Sequence, residues 1–251
     1  MNKLLGFIIV LVGFNSYADQ VKIAVIDTGF DMRYEKGVKL CKTGHKSLTD
    51  DSTHDNHGHG THIAGLIAMN AKVDYCLVII KYYDPFHPGN NLANTIKAFE
   101  YAISENVDMI NYSGGGVEPS SQEREVIGQA LDKHIIIVAA AGNEGKDFRK
   151  QGYYPAMYDT RIVVVGNLTK NKKGKAVRAP SSNYGQEVDL QVFGTNIKSL
   201  NGLMTGTSQS TAIVTGRLAK YAKSYRLTEY IRDLTYEGKD NYYSPLYKYM
   251  R

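Results

Sequence analysis

What this sequence lacks narrows its class before any motif is considered. Cysteine occurs twice in 251 residues, at Cys41 and Cys76, so at most one internal disulfide can form. The sequence has no internal repeat, interdomain linker or low-complexity tract, and a chain of this length can bury one sizeable core, which predicts one domain. The net charge of +5 is too mild for a nucleic-acid-binding protein, and the densest basic run, 170–178, is interpreted as a solvated loop.

The one long apolar run lies at the amino terminus. Lys3 precedes the apolar stretch 4–14, and Ala18 follows in a context that suits a signal peptidase. The run is about half the roughly 20 residues that span a bilayer, so a cleaved signal is favoured over the alternative of an uncleaved membrane anchor. We expect a signal peptide over 1–18, a single domain over 19–251, and a secreted or periplasmic protein.

Apolar, β-branched-rich runs alternate with helical patterns in the rest of the chain. Five runs bounded by Gly, Asn, Asp or Pro predict fully buried strands, at 21–26, 76–80, 107–111, 135–140 and 162–165. Helices are predicted at 60–70, 92–105, after the capping box Ser120-x-x-Glu123, at 208–224 and at 227–234. The alternation predicts an α/β fold, a doubly wound, mostly parallel sheet with helices on both faces in three layers. The tyrosine-rich end, 242–251, is interpreted as packing against this body.

Three short segments each place a reactive side chain where a strand ends or a helix begins. Asp27 ends the first predicted strand, at the edge where catalytic groups gather in open α/β sheets. His59 lies among small residues that let a helix start tightly against the sheet. Ser208 begins a predicted helix, where a backbone N–H and the helix dipole favour the negative charge of acyl transfer. Read singly, Asp27 could be only a turn residue and Ser208 only a helix cap.

A histidine-rich stretch offers a second interpretation. Imidazoles and carboxylates are the usual ligands of zinc, and several lie close together here: His54, His57, His59, His62, Asp50, Asp51 and Asp55. The sequence has no His-Glu-x-x-His pattern, and a metal site would leave Asp27 and Ser208 unexplained. An exported metal-dependent hydrolase remains the alternative, although we expect no catalytic metal.

Taken together, the three segments resemble those of the subtilisin-like serine peptidases, the subtilase family, and they occur in that family's order of Asp, His and Ser. Further segments are similar to the family: INYSGG at 110–115, AAAGNEG at 139–145 and YPA at 154–156. The similarity runs from about residue 21 to residue 222.

The resemblance implies the fold named above and a secreted serine endopeptidase. In that family the residue matching Ser208 is the nucleophile, that matching His59 the general base, and that matching Asp27 orients the base. Asn143 matches the amide that completes the oxyanion hole. Ser113, Gly114 and Gly115 match the segment that pairs with substrate backbone. The alternative is an inactive member that binds peptides without cutting them.

Several departures from the family's pattern modify these expectations. Tyr153 stands where members often have a small residue at the base of the specificity pocket, with Glu144 near its rim, so we expect a shallow pocket that prefers small or basic side chains. The stretch 69–74 is shorter than in members with a calcium loop, so calcium is not expected there, and no cofactor is implied. If the family's strand order holds, Cys41 lies beside the strand of Cys76 and the two form a disulfide.

Eight residues separate the expected cleavage site from Asp27, which leaves no room for the family's usual propeptide. We therefore expect the protein to fold unaided or with an inhibitor or chaperone supplied in trans. The expected partners are protein or peptide substrates. We expect a monomer, with no nucleic acid bound and no stable membrane association once the signal is removed.

Overall fold

The structure is a computed structural model that describes residues 20–86, 89–223 and 242–243. In chain order its strands are β1 (Val21–Asp27), β2 (Lys46–Ser47), β3 (Tyr75–Lys81), β4 (Met109–Tyr112), β5 (Ile136–Ala140), β6 (Val163–Lys170), β7 (Ala176–Arg178), β8 (Leu190–Phe193), β9 (Ile197–Ser199), β10 (Gly202–Met204) and β11 (Tyr242–Tyr243). The α-helices are α1 (His59–Asn70), α2 (Asn91–Ser104), α3 (Ser121–Asp132) and α4 (Thr207–Leu218).

One large sheet forms the centre of the molecule, with strands in the order β11-β8-β6-β5-β4-β1-β3-β2. Its neighbours pair in parallel except at β11, which is antiparallel to β8, and at β7, which folds back on β6. β9 and β10 form a separate hairpin. Since β1 lies between β3 and β4, the strand order reverses at β1, and the carboxyl end of this strand opens into a crevice of the kind that binds ligands in doubly wound sheets.

Successive residues of β1 show how helices cover both faces of the sheet. Ile23 and Val25 point into a core shared with α1 and α4. Ala24 and Ile26 point to the opposite face, where the core includes residues of α2 and α3. All four of these side chains are fully buried, as expected for a strand covered on two sides. The predicted mostly parallel, three-layer α/β fold is confirmed.

Besides the short strands β2, β9, β10 and β11, which were not predicted, the elements differ from the predicted ones in three places. The helix predicted at 208–224 ends as α4 at Leu218 and tightens into a 3-10 turn, Ala219–Tyr221. The basic run 170–178 is only partly a loop, because Ala176–Arg178 pairs with the end of β6 and leaves an exposed turn between them. β8 was not predicted, since its residues alternate between buried and half-buried positions and form no apolar run.

Other expectations concern residues outside the described part of the chain. These are the signal peptide over 1–18, the helix at 227–234 and most of the tyrosine-rich end, of which Tyr242–Tyr243 is described as β11. Among the residues that are described, no helix is both long and apolar enough to cross a membrane.

The structure joins Cys41 and Cys76 in a disulfide, as the resemblance implies. Cys76 lies in β3, and the segment before Cys41 runs alongside that strand: Cys41 N–H donates to the Leu77 carbonyl at 3.0 Å, and Leu77 N–H donates to the Lys39 carbonyl at 2.9 Å. The bridge closes a loop with a sequence separation of 35 residues.

Candidate active site

Asp27 is the last residue of β1 and lies in the crevice where the strand order reverses. Its side chain is almost completely buried, with 4% of the residue exposed. The backbone N–H of Thr28 donates to Asp27 Oδ1 at 2.8 Å. This bond holds the carboxylate at the sheet edge and leaves its oxygens able to accept a further hydrogen bond.

His59 is the first residue of α1 and lies directly against this carboxylate. Gly58, at the helix N-cap, has a left-handed backbone with φ of 91°, which glycine adopts without strain. Gly60 packs so closely on the Gly29 backbone that a Cβ atom at Gly60 would overlap the Gly29 carbonyl. The glycines thus bring the helix close to β1, and His59 Nδ1 lies 2.7 Å from Asp27 Oδ1.

The surroundings of His59 raise its pKa above the ordinary value of 6.5. Burial of the ring acts in the opposite direction, but the charge and hydrogen bond of Asp27, with a smaller contribution from Asp55, outweigh it. Because a carboxylate accepts only, Nδ1 carries the hydrogen in this pair, and Nε2 of the neutral ring is left as a proton acceptor.

Asp55 fixes the loop that leads into α1. Its Oδ1 accepts from the Thr28 hydroxyl at 2.8 Å and from Gly58 N–H at 2.7 Å, and its Oδ2 accepts from the Thr61 hydroxyl at 2.7 Å. Thr28 Oγ1 in turn accepts from Gly60 N–H at 2.8 Å. Burial acts to raise the pKa of Asp55, but these hydrogen bonds outweigh it and lower the pKa. The carboxylate therefore ties the end of β1 to the start of α1.

The acidic residues near the histidines do not converge on one point in the structure. Asp50 pairs with the buried Lys81 at 2.8 Å, and Lys81 lies 3.2 Å from Asp84. Asp55 is occupied by the hydrogen bonds above, whereas Asp51 is exposed. Within the described ranges, no group of three or more His, Cys, Asp and Glu side chains could hold a metal ion.

His62 follows His59 by one helical turn in a different environment. Its ring is buried, Nε2 donates to the Ile197 carbonyl at 3.1 Å, and Nδ1 is buried with no hydrogen-bond partner in the part of the chain described. Burial lowers its pKa. The imidazole of His62 is thus a neutral packing element between α1 and β9.

Ser208 is the second residue of α4. Its hydroxyl donates to the Ser113 carbonyl at 3.3 Å. No hydrogen bond between Ser208 and His59 is present among those of the described residues. Catalytic hydrogen bonds are often long in the absence of substrate and tighten in the complex. The serine therefore rests against the segment predicted to bind substrate backbone.

Asn143 lies beside the start of α4 and is held by the residue before the serine. Its Oδ1 accepts from the Thr207 backbone N–H at 3.0 Å and from the Thr207 hydroxyl at 3.2 Å. Fixing the oxygen in this way also fixes the amide nitrogen, which is the donor of the group. Asn143 is exposed, whereas Thr207 is completely buried. The Asn143 amide therefore lies at the surface and is held in place by the buried Thr207.

Tyr153 fills the space between the Ser113–Gly115 segment and the segment that carries Asn143. Tyr153 is 8% exposed. A Cβ atom at Gly115 would lie 2.5 Å from Tyr153 Cε1, and one at Gly142 would lie 2.8 Å from Cε2. The ring thus lies against both glycine backbones, one on each side. Glu144 is nearby and accepts from Asn183 Nδ2 at 2.6 Å.

Sequence reasoning missed a buried network behind Ser113. Asn111, in β4, donates from Nδ2 to Ser113 Oγ at 3.1 Å, and Thr215, in α4, donates to Asn111 Oδ1 at 2.9 Å. Asn111 and Thr215 are completely buried. A polar asparagine at the end of an otherwise apolar strand was the signal that could have pointed to it. The network connects α4 to the Ser113 segment.

Comparison with known proteins places this chain in a family. The Subtilase family profile matches residues 18–230. The chain is 32% identical over 236 residues to the major intracellular serine protease of Bacillus subtilis, covering 86% of this chain and 72% of that protein. It is 33% identical over 216 residues to subtilisin E of the same species, covering 79% of this chain and 54% of that protein. The chain thus spans about half the length of several subtilisins that it matches.

A solved structure described as a lanthipeptide protease superimposes with a TM-score of 0.71 at 21% sequence identity, over 88% of this chain and 80% of that chain. At that identity the likeness supports the fold alone. The family profile and the serine protease relatives carry the assignment further: this chain belongs to the subtilase family of serine-type endopeptidases.

Proposed function

We propose that this protein is an exported serine endopeptidase in which Ser208 is the nucleophile, His59 the general base and Asp27 the residue that orients the base. The proposal takes residues 19–251 as one peptidase domain. Its main support is the 2.7 Å pair between His59 Nδ1 and Asp27 Oδ1 at the switch point of the sheet. That pair leaves His59 Nε2 free to take a proton.

In the proposed reaction, Ser208 Oγ attacks the carbonyl carbon of the scissile bond while His59 Nε2 accepts the hydroxyl proton. His59 then gives this proton to the leaving amine, and Ser208 is left acylated. In the second step His59 takes a proton from water, the water oxygen attacks the acyl carbon, and the proton returns to Ser208. Asp27 holds the tautomer and stabilises the imidazolium. The Asn143 amide and the Ser208 backbone N–H donate to the oxyanion. Ser113, Gly114 and Gly115 provide main-chain groups to an extended peptide.

The proposal is tested by labelling with a fluorophosphonate probe, alongside hydrolysis of casein. We expect the wild type to be labelled and active, and Ser208→Ala to lose both. Ser210→Ala is the matched control, because Ser210 lies on the same helix turn but donates to the Val192 carbonyl at 2.8 Å, away from the site. Labelling that persists in Ser208→Ala, or activity that a chelator abolishes, would contradict the proposal.

Export is supported by the signal-like pattern over 1–18 and by the Cys41–Cys76 disulfide, since disulfides persist mainly in oxidising compartments. We expect the protein outside the cytosol, in periplasm or medium, to begin at Asp19. Amino-terminal sequencing of that fraction measures this directly. A chain that begins at Met1 and stays in the cytosol would refute export and leave the catalytic proposal intact.

A further inference from the structure

The Ser113 segment has a filled space on one side and an open cavity on the other. On the filled side, the Tyr153 ring lies against the backbones of both Gly115 and Gly142 and occupies the space between them. On the open side, a cavity of about 510 Å³ extends from Gly114 to α2 and α3. Such a volume accommodates a long side chain.

The lining of this cavity carries negative charge. It includes Glu123 and Glu118 together with the Tyr112 and Thr95 side chains, and its described residues include no lysine, arginine or histidine. Arg124, which follows Glu123 in the chain, lies over the Tyr158 ring at 5.3 Å from its centroid and is not part of the lining. We call this space the acidic cavity. Its charge contrasts with that of the whole chain, which is +5.

Glu123 is fixed at the inner wall of the acidic cavity. It is 5% exposed, and its Oε2 accepts from the Tyr158 hydroxyl at 2.8 Å. The Tyr158 oxygen itself accepts from the Ser120 backbone N–H at 2.7 Å. Tyr158 thus stands between the two ends of the capping box predicted from the sequence, and the carboxylate faces the cavity instead of bonding the Ser120 N–H. Burial raises the pKa of Glu123, against the hydrogen bond of Tyr158.

We propose that the acidic cavity receives a lysine or arginine side chain of the bound substrate, at a position removed from the scissile bond. The inference rests on the proposed function, in which the peptide lies along the Ser113 segment. A lysine ammonium or arginine guanidinium offers donors only, and Glu123 with the neighbouring hydroxyl oxygens offers acceptors. Tyr153 closes the space beside the scissile bond, so the basic side chain in the acidic cavity sets the choice of cleavage site.

Cleavage-site profiling of a proteome-derived peptide mixture tests this inference. We expect lysine and arginine to be enriched at one position at least two residues from the cleaved bond. Paired peptides with lysine or methionine at that position should then differ by about tenfold or more in kcat/KM, as charge-assisted hydrogen bonds do. Glu123→Gln should remove most of this preference with little change for the methionine peptide, because glutamine keeps an acceptor for Tyr158.

Glu125→Gln is the matched control, since Glu125 is exposed on the same helix outside the cavity; it should keep the preference. A profile without basic enrichment away from the bond, or a preference retained in the double variant Glu118→Gln/Glu123→Gln, would overturn the inference.

A second measurement is independent of turnover. In Ser208→Ala, fluorescence anisotropy should show the lysine peptide binding about tenfold more tightly than the methionine peptide, and adding Glu123→Gln should abolish the difference. Equal binding of the two peptides to Ser208→Ala would overturn the inference. If wild type fails to hydrolyse casein or to react with the fluorophosphonate, the proposed function fails, and the binding difference still decides this inference.

Discussion

The two halves of the candidate site are built from different chemistry. A charged half, Asp27, Asp55 and His59, is fixed by carboxylates that accept several hydrogen bonds each. A neutral half, Ser113, Asn143, Thr207 and Ser208, is fixed by amides and hydroxyls. Charged hydrogen bonds are roughly twice as strong as neutral ones. Apart from the nucleophile Ser208, single substitutions should therefore have larger effects in the charged half, and the support of the neutral half should depend on several small contributions.

Apart from loss of the Ser208 nucleophile itself, the largest effect is expected from Asp27→Asn. Asparagine retains the shape but can present its amide N–H to His59 Nδ1, which favours the tautomer with its hydrogen on Nε2. We expect kcat to fall by about 10⁴, the magnitude known for the same change in the Ser-His-Asp triad of trypsin. Steady-state kinetics measures the loss, and circular dichroism checks the fold. Activity within tenfold of wild type would show that Asp27 does not orient the base.

Among the residues of the neutral half that support Ser208, the largest single effect is expected at Asn143. Asn143→Ala removes a donor that the proposal aims at the oxyanion, so kcat should fall by about 10²–10³ with KM little changed; that magnitude comes from subtilisin itself. The melting temperature should stay close to wild type, since Asn143 is exposed. A rise in KM at constant kcat would instead assign Asn143 to ground-state binding.

Asp55→Ala tests whether the charged half also stabilises the fold. The hydroxyls of Thr28 and Thr61 would lose their acceptor in a buried place, so the free energy of unfolding should fall by about 2–5 kcal/mol in urea titration. Asp51→Ala is the control, because Asp51 is exposed and should change stability by about 0.5 kcal/mol or less. Equal effects of the two changes would contradict this role of Asp55.

The stabilisation that Asp55 provides should depend on pH with a definite sign. The pKa of Asp55 is lowered in the folded protein. Its stabilisation is therefore present above the ordinary pKa of 3.8 and is lost as the pH falls through the lowered value. The stability difference between wild type and Asp55→Ala should shrink with acidification. A difference that grows as the pH falls would contradict the assignment.

Thr207→Val probes the support of the neutral half. It removes the hydroxyl that donates to Asn143 Oδ1 at 3.2 Å and keeps the backbone N–H that donates at 3.0 Å. Because one neutral hydrogen bond is lost and one remains, kcat should fall by about two- to tenfold. A loss as large as that of Asn143→Ala would show that the hydroxyl alone positions the amide.

The smallest expected change is a shift in the acid limb of the pH profile. His59 must be neutral to accept a proton, and its pKa is raised above 6.5, so kcat/KM should fall to half its maximum at a pH above 6.5. Asp55 contributes to that rise, so Asp55→Asn should move the midpoint to lower pH. A midpoint that moves to higher pH would indicate that another group titrates.

The fold could be predicted, and the principal residues of the candidate site could be proposed, because each signal is local. The apolar run before Asp27 and the small residues around His59 specify a strand end and a helix start, and the resemblance supplied their roles. The supports could not be predicted in the same way. Asp55, Thr207 and Asn111 each make at least one hydrogen bond to a residue far along the chain, and those bonds exist only once the helices have packed on the sheet.

The pockets beside the Ser113 segment were likewise predictable only where the signal in the sequence is local. Tyr153 was expected to make the pocket shallow, and its ring between two glycine backbones supports that expectation. Glu123 was predicted only as part of a helix cap. Its place on a cavity wall depends on Tyr158, which enters the cap from 35 residues further along the chain. No local pattern in the sequence carries that information.

The Cys41–Cys76 bridge also bears on how a peptidase survives its own activity. The loop it closes contains the exposed residues Asp50, Asp51 and Ser52, which lie where a neighbouring enzyme molecule could cut. A single cut at these exposed residues separates Asp27 from His59 in the chain but leaves the two fragments covalently joined by the disulfide. A nicked molecule would thus keep Asp27 and His59 in one covalent unit and separate into two pieces only on reduction.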